Sequence, residues 1–171
     1  MSTKFLKEGI DNVQIGMDCH REMLQPGGSH DSMLIVVMAA SFYFAIVGTN
    51  DSPLYEAEFG IQREENKYLQ QFVVHAALDL VDDVQFMTSG CYLKAVDRYN
   101  DWTVSAYVTP SNARFMLLHE AKPEDPIRSF FAACHELYLR TLLNPFYEAN
   151  TSILSQAFDA KVHTLAKKYL I

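Results

Sequence analysis

The fold is decided by residues 42–59, FYFAIVGTNDSPLYEAEF. The first six residues carry aromatic, β-branched and small apolar side chains, which are typical of a strand buried on both faces. Gly48 and the turn formers after it end this run, and residues 54–59 then alternate between apolar and acidic side chains. The stretch predicts a β-hairpin whose second strand lies at a sheet edge. Its apolar side would be Tyr55, Ala57 and Phe59, and its acidic side Glu56 and Glu58.

Residues 68–84 show the clearest helical periodicity in the chain. Their apolar side chains recur at the offsets of one helix face, which predicts an amphipathic helix with that face on the core. The expected core stripe is Leu69, Phe72, Val73, Ala76, Ala77, Leu80, Val81 and Val84. Val74 and Leu78 lie on one flank outside this stripe. Either they widen the core face, or they stay exposed until a partner covers them, each then contributing about 1.5–3 kcal/mol.

The next part of the chain predicts three short strands, Tyr92–Val96, Trp102–Thr109 and Arg114–His119. The connections between them are short clusters of turn-forming residues, so neighbouring strands should be antiparallel and form a meander. With the hairpin and the first helix, this order indicates an α+β domain.

Two helices complete the predicted domain. Asp125 and Pro126 are expected as the N-cap and first helical residue of the first, which ends at Asn144-Pro145. The second is expected from about residue 155 to 169. Their apolar stripes are Ile127, Phe130, Phe131, Cys134, Leu137 and Tyr138 in the first, and Phe158, Val162, Leu165, Ala166 and Tyr169 in the second.

Composition and charge narrow the function. The chain has 171 residues, about half of them apolar, and a formal net charge of -7. This charge argues against a nucleic-acid partner and against an anionic membrane surface, because both are bound through clustered Lys and Arg. There is no glycine-rich loop to cradle phosphate, so no nucleotide cofactor is expected. The apolar run 34–47 is shorter than the roughly 20 residues of a membrane span, so no direct membrane insertion is expected either.

The first 37 residues differ from the rest of the sequence. They hold four of the seven glycines and no sustained periodicity, so we expect residues 1–37 to be a flexible extension and residues 38–171 to be the domain. Cysteines are odd in number and widely spaced, which indicates reduced thiols in a cytoplasmic protein; they are Cys19, Cys91 and Cys134. The potential metal ligands of the extension match no structural zinc spacing, and no metal is expected there; they are Cys19, His20, His30 and Asp31.

Several side chains are candidates for a site. His75 and Asp79 are four residues apart on the outward face of the first helix, which is more typical of a solvated pair than of an acid–base pair in a pocket. A second apolar flank, formed by Leu139, Leu142 and Leu143, has the same two interpretations as Val74 and Leu78. Residues 145–147, Pro-Phe-Tyr, are expected to form a buried hinge between the last two helices.

A catalytic triad of Ser105, His119 and Asp97 is not indicated by the sequence. No nucleophile elbow or glycine motif surrounds Ser105. Ser105 alternates with Val104 and Ala106, which predicts a strand residue on the less buried face.

Several short segments of the sequence closely resemble the sedlin family. Members of this family form the small second subunit of TRAPP, the transport protein particle that tethers vesicles. The resemblance covers roughly residues 40–170. It departs from the family pattern at Ser111-Asn112, where the family usually has Gly-His, and at Pro126, where it usually has Gly. The matching segments are FVVHAALD (72–79), YLKAVD (92–97), WTVSAYVT (102–109), HELY (135–138), LNPFYE (143–148) and FDAKV (158–162).

This resemblance implies a longin-like (profilin-like) fold, in which a five-stranded antiparallel sheet lies between one helix on one face and two helices on the other. It implies a non-catalytic adaptor linking small core subunits to larger subunits of TRAPP, in the cytoplasm at endoplasmic reticulum and Golgi membranes. The link to a Rab GTPase would be indirect, through the complex. It also implies that the aspartate at Asp79 helps to hold larger subunits, with His75, Val74, Leu78 and the flank Leu139, Leu142 and Leu143 as further contact candidates.

Two other functions remain open at this point. A regulatory longin domain of SNARE type would require a heptad-bearing segment and a membrane span after the domain, and the sequence ends at Ile171 without either. A small enzyme using His75 or His119 would be detected by saturable ligand binding.

Overall fold

The computed structural model describes residues 41–60, 64–120 and 122–171, with side chains from residue 67 onward in the first helix. The predicted extension, residues 1–37, lies outside the described residues, as do Cys19, His20, His30 and Asp31 of the metal prediction. Cys91 and Cys134 are free thiols.

The order of elements agrees with the prediction. Strands β1 and β2 are followed by helix α1, strands β3, β4 and β5, and helices α2 and α3. Their bounds are β1 Ser41–Val47, β2 Pro53–Gly60, α1 Glu64–Met87, β3 Tyr92–Tyr99, β4 Trp102–Val108, β5 Arg114–His119, α2 Glu124–Leu142 and α3 Gln156–Tyr169.

The five strands form one antiparallel sheet in the order β2-β1-β5-β4-β3. Phe44 of β1 is paired with Ala57 of β2 on one side and with Leu117 of β5 on the other. The hairpin and the meander are therefore confirmed, and β2 lies at a sheet edge as predicted. The meander returns through β5, which brings the last strand to the middle of the sheet beside β1.

Helices cover both faces of the sheet. On one face, α2 and α3 close a core rich in aromatic rings, where the Phe130 ring lies 5.1 Å from that of Phe44 in an edge-on arrangement. On the other face, α1 packs its Val73, Ala77 and Val81 against the sheet. Each large apolar side chain buried in this way contributes about 1.5–3 kcal/mol. One helix on one face and two on the other make this the predicted α+β longin-like fold.

The core face of α1 is rotated from the predicted stripe. Val74 and Leu78, placed outside the stripe, are only 3% and 5% exposed, whereas Phe72, placed inside it, is 62% exposed. The reason is that α1 has more apolar residues than one face requires, and it packs mainly over β3 at the sheet edge. That position selects the flank with Val74 and Leu78 and turns Phe72, Ala76 and Leu80 outward.

The start of α2 also differs from the prediction. The helix begins at Glu124, its N-cap is Pro123 and no side chain caps it, so Asp125 is not the N-cap. Glu124 and Asp125 instead lie in the first turn, where carboxylates interact favourably with the helix dipole. Pro126 is tolerated there because the first-turn N–H groups have no intrahelical acceptor.

The other departure from the family pattern is accommodated in the turn before β5. Asn112 adopts a left-handed backbone with φ 60°. Asn enters this conformation more readily than most residues other than Gly, and His, which the family usually has at this second position of the pair, shares that tendency. Thr109 closes the turn, because its hydroxyl accepts a hydrogen bond from Ala113 N (2.9 Å).

A buried arginine ties three elements together. Arg114, at the start of β5, is buried, and its guanidinium contacts both Asp51 in the β1–β2 turn and Asp82 on α1, the latter at 3.1 Å. The carboxylates are about half exposed, so water shares in their solvation. This contact fixes α1 relative to the hairpin turn and the sheet.

The rotation of α1 predicts different costs for two neighbouring leucines. Leu78→Ala should lower the free energy of unfolding by about 2–5 kcal/mol, because it leaves a cavity against the sheet. Leu80→Ala, the same change at a position that is 39% exposed, should cost about 1 kcal/mol or less. Urea unfolding of both variants measures the difference, and equal costs would contradict the described orientation of α1.

Candidate interaction surfaces

The outward face of α1 combines aromatic and acidic side chains. Tyr68 and Phe72 are one turn apart and largely exposed, and His75 and Asp79 continue the same face toward the C-terminus. Both His75 and Asp79 are exposed, as the sequence predicted. No hydrogen bond or ion pair among the described residues joins them, so they do not form an acid–base pair in this structure.

This face is presented by a firmly held helix. The opposite side of α1 is packed in the core, and Gln70 Nε2 donates a hydrogen bond to Ser41 Oγ (3.0 Å) beneath it. Arg114 holds the helix at Asp82. An exposed apolar face on a fixed element loses little conformational freedom when a partner covers it.

The second apolar flank, formed by Leu139, Leu142 and Leu143 at the end of α2, is exposed only in part. Leu139 and Leu143 are exposed, whereas Leu142 is half-buried against the core of the α2–α3 face. Leu142 is therefore no longer a simple surface residue. Leu139 and Leu143 are one turn apart and remain available for contact.

The predicted buried hinge at residues 145–147 is wrong for Phe146. Its side chain is 96% exposed, and only Tyr147 packs against the core. Phe146 N donates to Asn144 Oδ1 (3.1 Å), and this contact directs the chain so that Tyr147 turns inward and Phe146 outward. Sequence reasoning missed this residue because an apolar side chain in a loop has no periodicity that assigns it to the inside or the outside.

Ser105 and His119 meet, although Asp97 does not join them. Ser105 Oγ lies 2.9 Å from His119 Nε2, and His119 Nδ1 lies 2.6 Å from the carbonyl oxygen of Glu120. The Asp97 carboxylate instead accepts from the backbone N–H of Arg98 (2.7 Å). The three residues therefore do not assemble a triad.

Ser105 is fully buried, contrary to the prediction of a less buried face. The register of β3 against β4 shifts between Leu93 and Asp97, and inside this irregularity the Ser105 hydroxyl donates to the Lys94 carbonyl. Burial lowers the pKa of His119, so the ring carries one proton near neutral pH, and Nδ1 donates it to Glu120. The hydroxyl of Ser105 has one proton and two neighbouring acceptors, the buried Nε2 of His119 and the part-buried Lys94 carbonyl. Its contacts are therefore those of a side chain that stabilises an irregular strand.

The described residues contain neither a group of metal-ligating side chains nor a helix that could span a membrane. Within residues 41–60, 64–120 and 122–171, no three His, Cys, Asp or Glu side chains are grouped to hold a metal ion. In the same part of the chain, no helix is both long enough and apolar enough to cross a bilayer.

Fold and surfaces together define a longin-like domain. The family model described as Sedlin matches residues 46–168. The Transport protein particle 20 kDa subunit of Schizosaccharomyces pombe is 49% identical over 133 residues, which are 75% of this chain and 98% of that protein. The Probable trafficking protein particle complex subunit 2 of Drosophila melanogaster is 41% identical, over 77% of this chain and 99% of that protein. The chain belongs to the sedlin family.

A more distant relative supports the same assignment. The Trafficking protein particle complex subunit 20 of Saccharomyces cerevisiae is 33% identical, with 75% of this chain and 97% of that protein covered.

The buried serine provides a test of the strand irregularity. Ser105→Ala should lower the free energy of unfolding by about 1–3 kcal/mol, because it removes the donor to the Lys94 carbonyl and leaves the buried His119 Nε2 without a partner. Ser129→Ala is the matched control, since the Ser129 hydroxyl donates to the Asp125 carbonyl at an exposed position, and it should change stability by about 0.5 kcal/mol or less. Chemical denaturation compares the two, and a Ser105 variant as stable as the control would contradict this role.

Proposed function

We propose that this protein is a non-catalytic subunit of the TRAPP tethering complex and acts as an adaptor between its small core subunits and larger subunits. In this proposal it works in endoplasmic reticulum to Golgi and Golgi vesicle transport. It is cytoplasmic and reaches these membranes peripherally, through the complex. Its link to a Rab GTPase is likewise made by the complex. Membership of the sedlin family and the names of three relatives as subunits of transport or trafficking particles support the proposal.

The exposed aromatic and acidic face of α1 is the observation that carries the adaptor role. A partner that covers Phe72 would gain about 1.5–3 kcal/mol from this side chain alone. Asp79 lies on the same face of α1 as Phe72. Its negative charge favours a basic or hydrogen-bond-donating group of a partner and disfavours an acidic one. Tyr68 and His75 extend the same contact surface.

Val74 and Leu78 have an indirect part in this proposal. Because they are buried against the sheet, they hold α1 in place and do not themselves touch a partner. Leu139 of α2 and Leu143, the residue that follows this helix, lie across the sheet and form a second exposed contact. Surfaces on the two sides of the sheet allow one small domain to bind two neighbours at once, which is the geometric requirement for an adaptor.

A charge reversal on α1 tests the proposal. Asp79→Lys should leave the thermal midpoint nearly unchanged, since exposed substitutions usually alter stability by about 0.5 kcal/mol or less. It should reduce the amount of the larger TRAPP subunits that co-purify with the tagged protein from cells. The matched control is Asp101→Lys, the same charge reversal at an exposed position in the β3–β4 turn.

The two variants separate a surface effect from a general charge effect. Loss of larger subunits with Asp79→Lys but not with Asp101→Lys supports the α1 contact. Recovery of the larger subunits by Asp79→Lys at the wild-type level would refute it. Absence of all TRAPP subunits from the wild-type purification would refute the adaptor function as a whole.

A further inference from the structure

A groove lies between the C-terminal half of α2 and the N-terminal half of α3, away from α1 on the other face of the sheet. It has a volume of about 310 Å³. Its apolar lining includes Leu137 from α2, Ile153 from the α2–α3 connection and Phe158 from α3. This volume is at the lower end of the range for specific ligand sites in proteins, and it gives room for a large apolar side chain.

Two apolar side chains on the lining of the groove are almost wholly in water. Phe146 is 96% exposed and Leu154 is 90% exposed. Both belong to the connection between α2 and α3. Exposed side chains of this size beside an apolar groove are a feature of interaction sites, because their transfer out of water adds to binding.

The connection that carries these side chains is itself well fixed by hydrogen bonds. Tyr147 Oη donates to the Thr151 carbonyl (2.6 Å), and Ile153 N donates to the Leu54 carbonyl at the start of β2 (2.8 Å). Thr49 N donates to the side chain of Asn150 (3.2 Å), which has a left-handed backbone. Phe146 and Leu154 are thus presented in a defined geometry before any partner arrives, which reduces the entropy cost of binding.

The charges of the groove are of one sign. Arg140 and Lys161 line it, and no carboxylate side chain does among the described residues. Arg140 pairs with Glu136 at 2.6 Å, but both side chains are about two-thirds exposed, and such a pair exchanges partners at little cost. Asp159, the nearby acid of α3, is engaged by the Tyr55 hydroxyl (2.7 Å). A cationic groove on a chain with net charge -7 selects an acidic occupant.

We propose that this groove binds an acidic segment of a partner protein, with an apolar anchor side chain in the groove and carboxylates beside Arg140 and Lys161. A concave site of this kind fits a protruding side chain better than the flat boundary of a bilayer, and the net charge of the chain opposes anionic lipid. The site is independent of the α1 surface, since it shares no residue with it. A partner bound here leaves α1 free.

Selection of short random peptides displayed on phage against the full-length protein tests this inference. Enriched sequences should combine Asp or Glu with Phe, Leu, Ile or Trp. The affinity of a synthetic peptide from this set is measured by fluorescence anisotropy. The double variant Arg140→Glu, Lys161→Glu should raise the dissociation constant about tenfold or more, which corresponds to a loss of about 1.4 kcal/mol of binding free energy. The variant Phe146→Ser should weaken binding of the same peptide.

The matched control is the double variant Lys167→Glu, Lys168→Glu, which makes the same charge change at the far end of α3. It should bind the peptide as the wild type does, and so should Asp79→Lys on α1. Selection against Arg140→Glu, Lys161→Glu should enrich basic peptides in place of acidic ones.

Four results would overturn the inference. They are the absence of enrichment over a selection without the protein, enriched peptides indifferent to the groove variants, Phe146-dependent sedimentation with phosphatidylserine vesicles, and Phe146-dependent self-association. The last two would assign the surface to a membrane or to a second copy of the chain. None of these outcomes depends on recovery of TRAPP subunits, so this test and that of the adaptor role fail separately.

Discussion

Burial of the sheet on both faces is the constraint on which the rest of the structure depends. Every residue of β5, and every residue of β1 after Ser41, is buried, whichever way its side chain points. A sheet of this kind is stable only when both faces are removed from water, which requires helices above and below it. Phe44 and Phe115 therefore meet α2, while Tyr43 and Met116 meet α1. The faces of β1 and β5 are consequently closed to partners, and within the described residues the exposed surface lies on the outer sides of the helices, on the connections and along the edge strands β2 and β3.

The element order was predictable because it rests on local chemistry. Turn residues such as Asp51, Asn100 and Asn112 adopt left-handed backbones at the places where the sequence predicted turns. The rotation of α1 was not predictable in this way. Its apolar residues cover two overlapping stripes, and the choice between them depends on where the helix lies over the sheet, a tertiary property that the periodicity of one helix does not contain. For that reason Phe72 lies outside the core, contrary to its prediction, whereas the burial of Val74 agrees with one of the two interpretations left open for it.

The candidate surfaces were predictable to different degrees. His75 and Asp79 were placed outside correctly, because polar residues at helical spacing are excluded from an apolar face. Phe146 and the groove beside it were missed, since they arise where α2 and α3 converge and where backbone hydrogen bonds of the connection direct single side chains. Ser105 shows the converse case. It is buried together with its neighbours Val104 and Ala106, and its hydroxyl finds an acceptor at an irregularity in β3 that no pattern in the strand revealed. Local sequence patterns thus predict the order of strands and helices, whereas tertiary packing decides which side chains are exposed.

The position of Arg114 has a mechanical consequence. Its guanidinium joins Asp82 of the helix to Asp51 of the hairpin turn, while its own backbone belongs to the middle strand of the sheet. A pulling force applied to α1 therefore passes into the central strand and is shared with both neighbouring strands through their hydrogen bonds. Strands pulled along their length resist shear through many bonds at once. By this route, tension on α1 reaches the sheet through Arg114 as well as through the apolar contacts beneath the helix.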